Sequence, residues 1–204
     1  MNLNFSDFSP VQIYHLMTQT IIPRPIAWVM TDSGEANFNL APFSYFTAVS
    51  SNPPLMMFSV GKKPTGDVKD TVKNIIETGQ CVIHIASVDD ANLVTQTAAT
   101  LDHGQSEVAL NDIALCEFEG FSMPRVAGCN IAYGCELYEI KEMGEVPQTL
   151  VFVEIKTLFL GDEVVSLDHK KRIKVDADKV NPLARLGGGE YSGITSAFGI
   201  ERPE

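Results

Sequence analysis

The sequence predicts a mainly β protein with helical insertions, folded as an antiparallel barrel. Strand-like segments outnumber the two or three helical ones, which leaves too few helices for a regular alternation of strand and helix. Residues 131–140 and 149–160 alternate in polarity like two antiparallel strands joined by a short loop. A chain of 204 residues is more consistent with one domain than with two.

The N-terminal elements are predicted from capping and from proline positions. Residues 9–20 suit a short amphipathic helix with Ser9 as its cap. The apolar residues 21–30 predict an edge or irregular strand, because prolines interrupt them. Residues 37–51 mix aromatic and polar side chains with no clean period, so no element is predicted there. The remaining predicted strands are residues 55–60, 80–86, 164–167 and 171–175.

The clearest helix covers residues 69–78, where apolar side chains form a stripe at helical spacing. Asp67 or Asp70 is available to cap it, and Gly79 is placed to end it. A second helix, over residues 87–99, opens on a Ser-x-x-Asp capping-box pattern. The tail from residue 181 onward is expected to be irregular but docked on the barrel.

Composition and charge exclude several classes of protein. The 15 basic and 26 acidic residues give a net charge of −11, so we expect neither nucleic acid nor a membrane as a partner. No apolar stretch is long enough to span a bilayer, and the N-terminus lacks the blocks of a secretory signal. The four cysteines fit neither a redox pair nor a zinc site. We therefore expect a cytoplasmic protein with free thiols and no metal.

Two segments could bind an anion. Residues 64–74 would open a helix whose N-terminal N–H groups attract negative charge, and Lys69 and Thr71 lie at that end. The alternative is an ordinary capped surface helix. Arg24, between two prolines, sits on a stiff backbone that suits a bidentate phosphate contact. A surface arginine at a strand entry is the alternative there.

A third segment could bind a flat ring. Residues 38–51 interleave aromatic side chains with polar ones such as Asn39, Ser44 and Thr47. A heteroaromatic ligand with a polar rim needs this mixture of stacking faces and hydrogen-bonding groups. A polar loop anchored by aromatic side chains in the core explains the pattern equally well.

No segment predicts a catalytic side chain. The glycine-rich residues 182–193 do not form a strand–GxGxxG–helix unit, so they are a flexible flap or a C-terminal loop. No nucleophile and base occur in a recognisable arrangement. His84 alternates with apolar residues along a predicted strand, which is typical of a core or groove histidine.

Taken in order, these segments resemble the flavin reductase-like, FMN-binding split β-barrel family, and within it the flavoredoxin-type proteins. The resemblance runs from about Ile22 to Pro203, which favours a single domain over residues 1–204. It rests on IPRPIAW from residue 22, NLAPFSYFTAVSSNPP from residue 39, KDTVKNI from residue 69, MPRV from residue 123, CEL from residue 135 and PLARLGGGEY from residue 182.

The resemblance implies FMN as a non-covalent cofactor, commonly held near a homodimer interface. It places residues 185–191 near the mouth of the site. By matching motif positions, the implied ring and ribityl contacts are Asn39, Ala41, Ser44, Tyr45 and Thr47, and the implied phosphate contacts are Ser59, Lys69, Asp70, Thr71 and Asn74, with Arg24 as a further contributor.

The resemblance therefore predicts an FMN-dependent oxidoreductase. NADH or NADPH would donate electrons, and free flavin, a metal complex or an electron-transfer protein would accept them. Two alternatives stay open: a flavoredoxin-like electron carrier without its own nicotinamide site, and a non-catalytic barrel that binds another ligand. The sequence has no dinucleotide fingerprint to separate the first two.

Overall fold

The computed structural model describes residues 1–102, 104–201 and 203. Within these residues, no helix is both long and apolar enough to cross a lipid bilayer. The helices are α1 (Pro10–Thr20), α2 (Asp70–Thr78), α3 (Ala91–Gln96), α4 (Glu107–Leu110) and α5 (Ala177–Val180). The strands are β1 (Arg24–Pro25), β2 (Ala27–Asp32), β3 (Phe38–Phe43), β4 (Phe46–Ser51), β5 (Pro54–Val60), β6 (Gln80–His84), β7 (Leu115–Cys116), β8 (Arg125–Val126), β9 (Ile131–Met143), β10 (Gln148–Leu160), β11 (Val165–Leu167), β12 (Ile173–Val175), β13 (Ala184–Arg185) and β14 (Tyr191–Ser192).

The largest sheet rolls into a barrel. Its seven antiparallel strands follow the order β3-β2-β6-β9-β10-β5-β4. Strands β3 and β4 are the two ends of this order, yet only Ser44 and Tyr45 separate them in the chain. A connection this short spans roughly 11 Å, so the sheet must curl until its two edges approach each other. The barrel is thus closed by a tight connection, and the part of the chain that the structure describes forms no strand pair between β3 and β4.

Strand β2 divides the core into two apolar layers, because successive side chains point to opposite faces. Ala27 and Val29 face the barrel interior, where Val72 and Ile75 of helix α2 also pack. Trp28 and Met30 face the other way, towards helices α3 and α4. Helix α2 is therefore held by its apolar face, and its first turn is fixed relative to the sheet.

Several element predictions are confirmed by the structure. Helix α1 begins with a capping box, in which the Ser9 side chain accepts from the Gln12 N–H and the Gln12 side chain accepts from the Ser9 N–H. Strands β9 and β10 form the predicted long hairpin. Gly79 ends helix α2 in the left-handed conformation at φ 73°, which glycine adopts at little cost. The prediction that residues 21–30 start as an edge or irregular strand is confirmed at β1, which is an edge strand of a three-stranded sheet. Strand β2 follows the prolines and pairs with both β3 and β6.

Other predictions are wrong for physical reasons. Residues 37–51 contain two strands, β3 and β4, although their polarity shows no period. Neither Asp67 nor Asp70 caps helix α2, whose N-cap residue is Lys69 and makes no side-chain cap bond. Helix α3 ends at Gln96, three residues before the predicted end at residue 99.

Candidate functional site

Two adjoining cavities lie along the start of helix α2. The inner cavity has a volume of about 100 Å³ and lies between strand β3, the first turn of α2 and residues 97–101. The outer cavity, about 740 Å³, lies over the β3–β4 connection. Pro42, Lys63 and Lys69 line both cavities, so the two are neighbours, and we call them together the α2 groove.

The fold brings most of the predicted site residues to this groove. Three of the eleven, Arg24, Thr47 and Asn74, line neither cavity. The inner cavity is lined by Asn39, Ala41, Lys69, Asp70 and Thr71, and the outer cavity by Ser44, Tyr45, Ser59 and Lys69.

The first turn of α2 presents hydrogen-bond donors to the inner cavity. The N-cap residue Lys69 makes no side-chain cap bond, and its carbonyl oxygen accepts from the Val72 N–H at 3.0 Å. The positive end of the helix dipole lies at this first turn. The buried Thr71 hydroxyl accepts a hydrogen bond from the Asn39 amide at 3.1 Å. The hydroxyl keeps its own hydrogen for an acceptor in the cavity. This end of the groove therefore suits an anion.

Positive charge is concentrated at the same place. Lys63 forms an ion pair with Asp70 at 2.8 Å, while the Lys69 ammonium lies 5.7 Å from the centroid of the Phe43 ring. Burial lowers the pKa of Lys69, and the neighbouring Lys63 lowers it further. An anion in the groove would relieve both effects, because it would compensate the lost hydration and the like-charge repulsion. The groove is thus locally basic in a chain with a net charge of −11.

Asn74 positions helix α2 from below the groove. Its side-chain amide donates to the Thr31 hydroxyl at 3.0 Å and to the Ser33 hydroxyl at 2.9 Å. Both amide hydrogens are then used, and the side chain is buried. The structure gives Asn74 the role of fastening α2 to β2 and its following turn, and its implied contact with a phosphate stays a prediction.

Arg24 is also buried and serves as a clamp. Its guanidinium donates to the carbonyl oxygens of Thr18, of Ile21 at 2.9 Å and of Leu186 at 2.8 Å. A longer bond of 3.4 Å reaches the Ser44 hydroxyl. These contacts join the end of α1, the C-terminal segment and the β3–β4 connection. A phosphate contact by Arg24 stays a prediction, since most of its donors are already engaged.

Two other predicted positions lie away from the cavities. Thr47 is exposed on strand β4, and its hydroxyl donates to the Ala48 carbonyl at 3.2 Å. Residues 185–191 line neither cavity. They pack instead against the end of α1, where Gly187 approaches Gln19, so their implied place at the mouth of the site is not seen in this chain.

Four parts of the groove were missed by sequence reasoning. Lysines at residues 62–63 stand just before the predicted anion-binding helix, and this clustering of basic residues was a usable signal. Tyr14 and the β9–β10 hairpin tip at residues 146–148 line the outer cavity, and Glu107 lines the inner one. These parts are remote in sequence, and only the closed barrel brings them together.

Tyr45 supplies a neutral hydrogen-bond donor beside the aromatic floor of the outer cavity. Burial raises the pKa of its phenol, the Tyr14 phenol raises it further, and Arg24 opposes the shift. The phenol therefore keeps its proton at neutral pH. Phe43 and Tyr45 provide apolar surface, and Ser44 and Ser59 provide hydroxyls next to it. Such a wall suits a planar ligand with polar edges.

The flavin reductase like domain matches residues 17–174, more than three quarters of the chain. The chain belongs to this family. The resemblance predicted from its motifs is confirmed, and a flavin-related oxidoreductase role follows from it. Residues 175–203 lie beyond the matched span, although strand β13 returns to pair with β1.

Solved structures agree with this assignment. Nitrilotriacetate monooxygenase component B from Bacillus cereus is 32% identical, with a TM-score of 0.87 over 98% of both chains. Pseudomonas fluorescens 2-nitrobenzoate 2-nitroreductase NbaA is 30% identical, with a TM-score of 0.87 over 100% of this chain and 96% of its own. A split-barrel-domain protein from Shewanella frigidimarina, 19% identical, has a TM-score of 0.83 over 99% of this chain and 100% of its own. The predicted split β-barrel is thereby confirmed.

Proposed function

We propose that this protein is an FMN-dependent oxidoreductase that binds its cofactor along the α2 groove. The observation that carries the proposal is a small cavity with two lysines at a helix N-terminus, beside a larger cavity with aromatic walls. Electrons come from NADH or NADPH and pass to a small molecule, such as free flavin or a metal complex, or to an electron-transfer protein. The single domain over residues 1–204 and the cytoplasmic location belong to the same proposal.

The groups in the groove fit the two ends of FMN. A phosphate needs N–H and O–H donors with positive charge close by, and the inner cavity offers the first turn of α2, Thr71 and Lys69. A flavin ring needs flat apolar surface with hydrogen-bonding groups at its rim, and the outer cavity offers Phe43 and Tyr45 with nearby hydroxyls. The shared lining residues let one ligand occupy both cavities.

In this mechanism, the residues of the chain bind the cofactor and orient it. Bound FMN supplies the acceptance and donation of electrons. Lys69 and Thr71 hold the phosphate, and Asn39 fixes the Thr71 hydroxyl by its 3.1 Å hydrogen bond. Asn74 fixes the helix below, and Phe43 excludes water from one side of the outer cavity. No side chain is required to act as an acid or a base.

The relatives support an electron acceptor outside the protein. The B. cereus protein is described as one component of a monooxygenase, and the P. fluorescens protein as a nitroreductase. Each of those descriptions names a redox reaction. For this chain we propose reduction by a nicotinamide followed by transfer to a small acceptor. A carrier that receives its electrons from a partner protein is the alternative.

Anaerobic stopped-flow spectroscopy tests the proposal. The purified protein, reconstituted with FMN, is mixed with NADH or with NADPH, and the visible flavin absorbance is followed. We expect rapid bleaching by at least one of the two. Retained FMN with slow bleaching by both nicotinamides would favour the electron carrier. A preparation that takes up no FMN would contradict the proposed cofactor.

A further inference from the structure

A buried carboxyl group lies in the inner cavity. Glu107 is 5% exposed, lines this cavity together with Thr71 and Lys69, and accepts a hydrogen bond from the Leu40 N–H at 3.0 Å. Burial raises the pKa of the Glu107 carboxyl; the bonds from the Leu40 N–H and from its own backbone N–H lower it, Asp70 raises it and Lys63 lowers it. The carboxyl thus has one oxygen engaged by the backbone of β3.

The charges around this cavity are balanced before any ligand enters. Among the described residues that line it, the charged groups are the ammonium groups of Lys63 and Lys69 and the carboxyls of Asp70 and Glu107. Asp70 pairs with Lys63 at 2.8 Å and lies 4.0 Å from the Lys73 ammonium, which is outside the cavity lining. If Glu107 is ionised, a phosphate monoester would bring a further charge of roughly −1.5 to −2 into the same cavity at neutral pH. The carboxylate and the phosphate would then repel each other.

We propose that Glu107 takes up a proton when the phosphate of the cofactor enters the inner cavity, and then donates a hydrogen bond to a phosphate oxygen. The proposal rests on the proposed function, because it assumes that the phosphate of FMN occupies this cavity. The proton comes from the solvent and converts a carboxylate into a carboxylic acid. One carboxyl oxygen keeps its bond from Leu40, and the other carries the proton towards the phosphate.

A protonated Glu107 is favoured over an ionised Glu107 once a phosphate is bound beside it. An O–H donor to a phosphate oxygen is charge-assisted and therefore stronger than a neutral pair, whereas two unprotonated anions at close range repel. The charged groups that line the cavity with Glu107 are Asp70 in the first turn of α2, the N-cap residue Lys69, and Lys63 in the preceding loop. The described lining residues of β3 and of residues 97–101 carry no titratable side chain.

Calorimetry with the Glu107→Gln variant tests the proposal. Glutamine keeps an acceptor for the Leu40 N–H and offers an N–H donor to the phosphate without needing a proton. FMN is titrated into the apo protein and into the variant from pH 5.5 to 8.5, in two buffers with different ionisation enthalpies, so that proton uptake is measured directly. Riboflavin, which lacks the phosphate, is the matched control ligand.

We expect the parent protein to take up close to one proton more than Glu107→Gln upon binding FMN above the pKa of free Glu107. Across that range, its FMN affinity should fall about tenfold per pH unit relative to the variant, as linkage requires for one proton. Riboflavin should show no difference. Equal proton uptake by both proteins overturns the proposal, and so does an FMN affinity of the variant that is lower than the parent's at every pH.

A second measurement requires no variant. Inorganic sulfate keeps its two charges throughout this pH range. Any proton taken up when sulfate binds is therefore bound by the protein and not by the ligand. We expect sulfate to raise the melting temperature of the apo protein more at pH 6 than at pH 8, compared with sodium chloride at equal ionic strength. An equal effect at both pH values contradicts the role of Glu107. Failure of the parent to bind FMN at any pH would instead reject the proposed function.

Discussion

Lys69 is the cation that the α2 groove offers to an anion. Its ammonium is partly buried over the Phe43 ring, and burial and Lys63 lower its pKa. A hydrogen bond to a charged partner contributes about 1.5–3 kcal/mol. We therefore predict that Lys69→Met weakens FMN binding by about 10- to 100-fold and leaves riboflavin binding nearly unchanged, as measured by fluorescence titration of each flavin.

Lys73 provides the matched control for Lys69. It lies on the same helix, its ammonium is 4.0 Å from Asp70, and it lines neither the inner nor the outer cavity. We expect Lys73→Met to change FMN affinity less than threefold, because an exposed ion pair contributes little. Equal losses in the two variants would mean that the overall charge of the helix, and not a phosphate contact, attracts the flavin.

His84 fastens three strands from inside the core. Its Nδ1 is 3.1 Å from the Trp28 carbonyl oxygen and donates to it, and its Nε2 accepts from the Val126 N–H at 2.9 Å. Both ring nitrogens are satisfied only when the ring is neutral. Burial accordingly lowers the pKa of His84 from 6.5 to about 4. The prediction of a core histidine is confirmed.

This arrangement predicts a pH-dependent stability. Above pH 6.5 the His84 ring is neutral in both the folded and the unfolded chain, and its hydrogen bonds contribute fully to the free energy of unfolding. As the pH falls from 6.5 towards 4, the unfolded chain binds a proton that the folded chain refuses, so stability is lost. The loss approaches about 3 kcal/mol. Urea unfolding at pH 5 and pH 7.5 measures it, and His84→Gln should reduce the difference; an unchanged slope would contradict this origin.

At the scale of elements, the C-terminal segment is held by close packing against α1 and by backbone carbonyls. Leu186 accepts from Arg24 at 2.8 Å, and β13 pairs with β1. A Cβ added at Gly187 would stand 2.3 Å from Cγ of Gln19 and 3.2 Å from its Cα. We predict that Gly187→Ala lowers the free energy of unfolding by about 1–3 kcal/mol.

Gly189 tests whether the effect of Gly187→Ala is steric. A Cβ at Gly189 would meet nothing within 4 Å, and its φ lies outside the left-handed region. Gly189→Ala should therefore leave the melting temperature unchanged or slightly raised, since alanine restricts the unfolded chain. A melting temperature lowered equally by both substitutions would show that the segment needs flexibility, and not a close approach to α1.

Sequence patterns predicted those helices and strands that are specified by residues close to them in the chain. The capping box of α1, the stop at Gly79 and the alternation in the β9–β10 hairpin all lie within a few residues of the elements they specify. Strands β3 and β4 were missed because, within each strand, the two faces meet similar surroundings. The successive residues Asn39 and Leu40 of β3 are both buried, whereas β4 is exposed along most of its length. Neither strand shows the alternation that a single buried face would impose.

At the scale of the whole molecule, the groove combines predictable and unpredictable parts. Motif positions identified Asn39, Lys69 and Thr71, because the backbone donors and side chains that suit a phosphate lie near one helix start. Tyr14 and Glu107 could not be placed by spacing alone. They reach the groove only because the rolled sheet brings α1, α4 and the hairpin tip to the same side. Polar side chains there carry no periodic signal.

The two edges of the seven-stranded sheet differ in how they are protected. The edge at β3 is covered by α4, where Glu107 accepts from the Leu40 N–H and Ser106 donates to the Phe38 carbonyl. The edge at β4 has the sequence FTAVSS, with no charged residue, and Val49 is 50% exposed. An uncharged, exposed edge strand is a surface on which another chain can pair. The expected homodimer would cover it.

We therefore predict that the protein sediments as a dimer at micromolar concentration, and that Val49→Lys shifts it towards the monomer. A lysine on an edge strand opposes pairing through its charge and its hydration. Ile173→Lys is the control, because Ile173 is 68% exposed on the separate β11–β12 ribbon and should remain dimeric. Analytical ultracentrifugation measures all three. A monomeric parent, or equal dissociation of both variants, would mean that the β4 edge is not the contact and that its exposed strand is left to solvent.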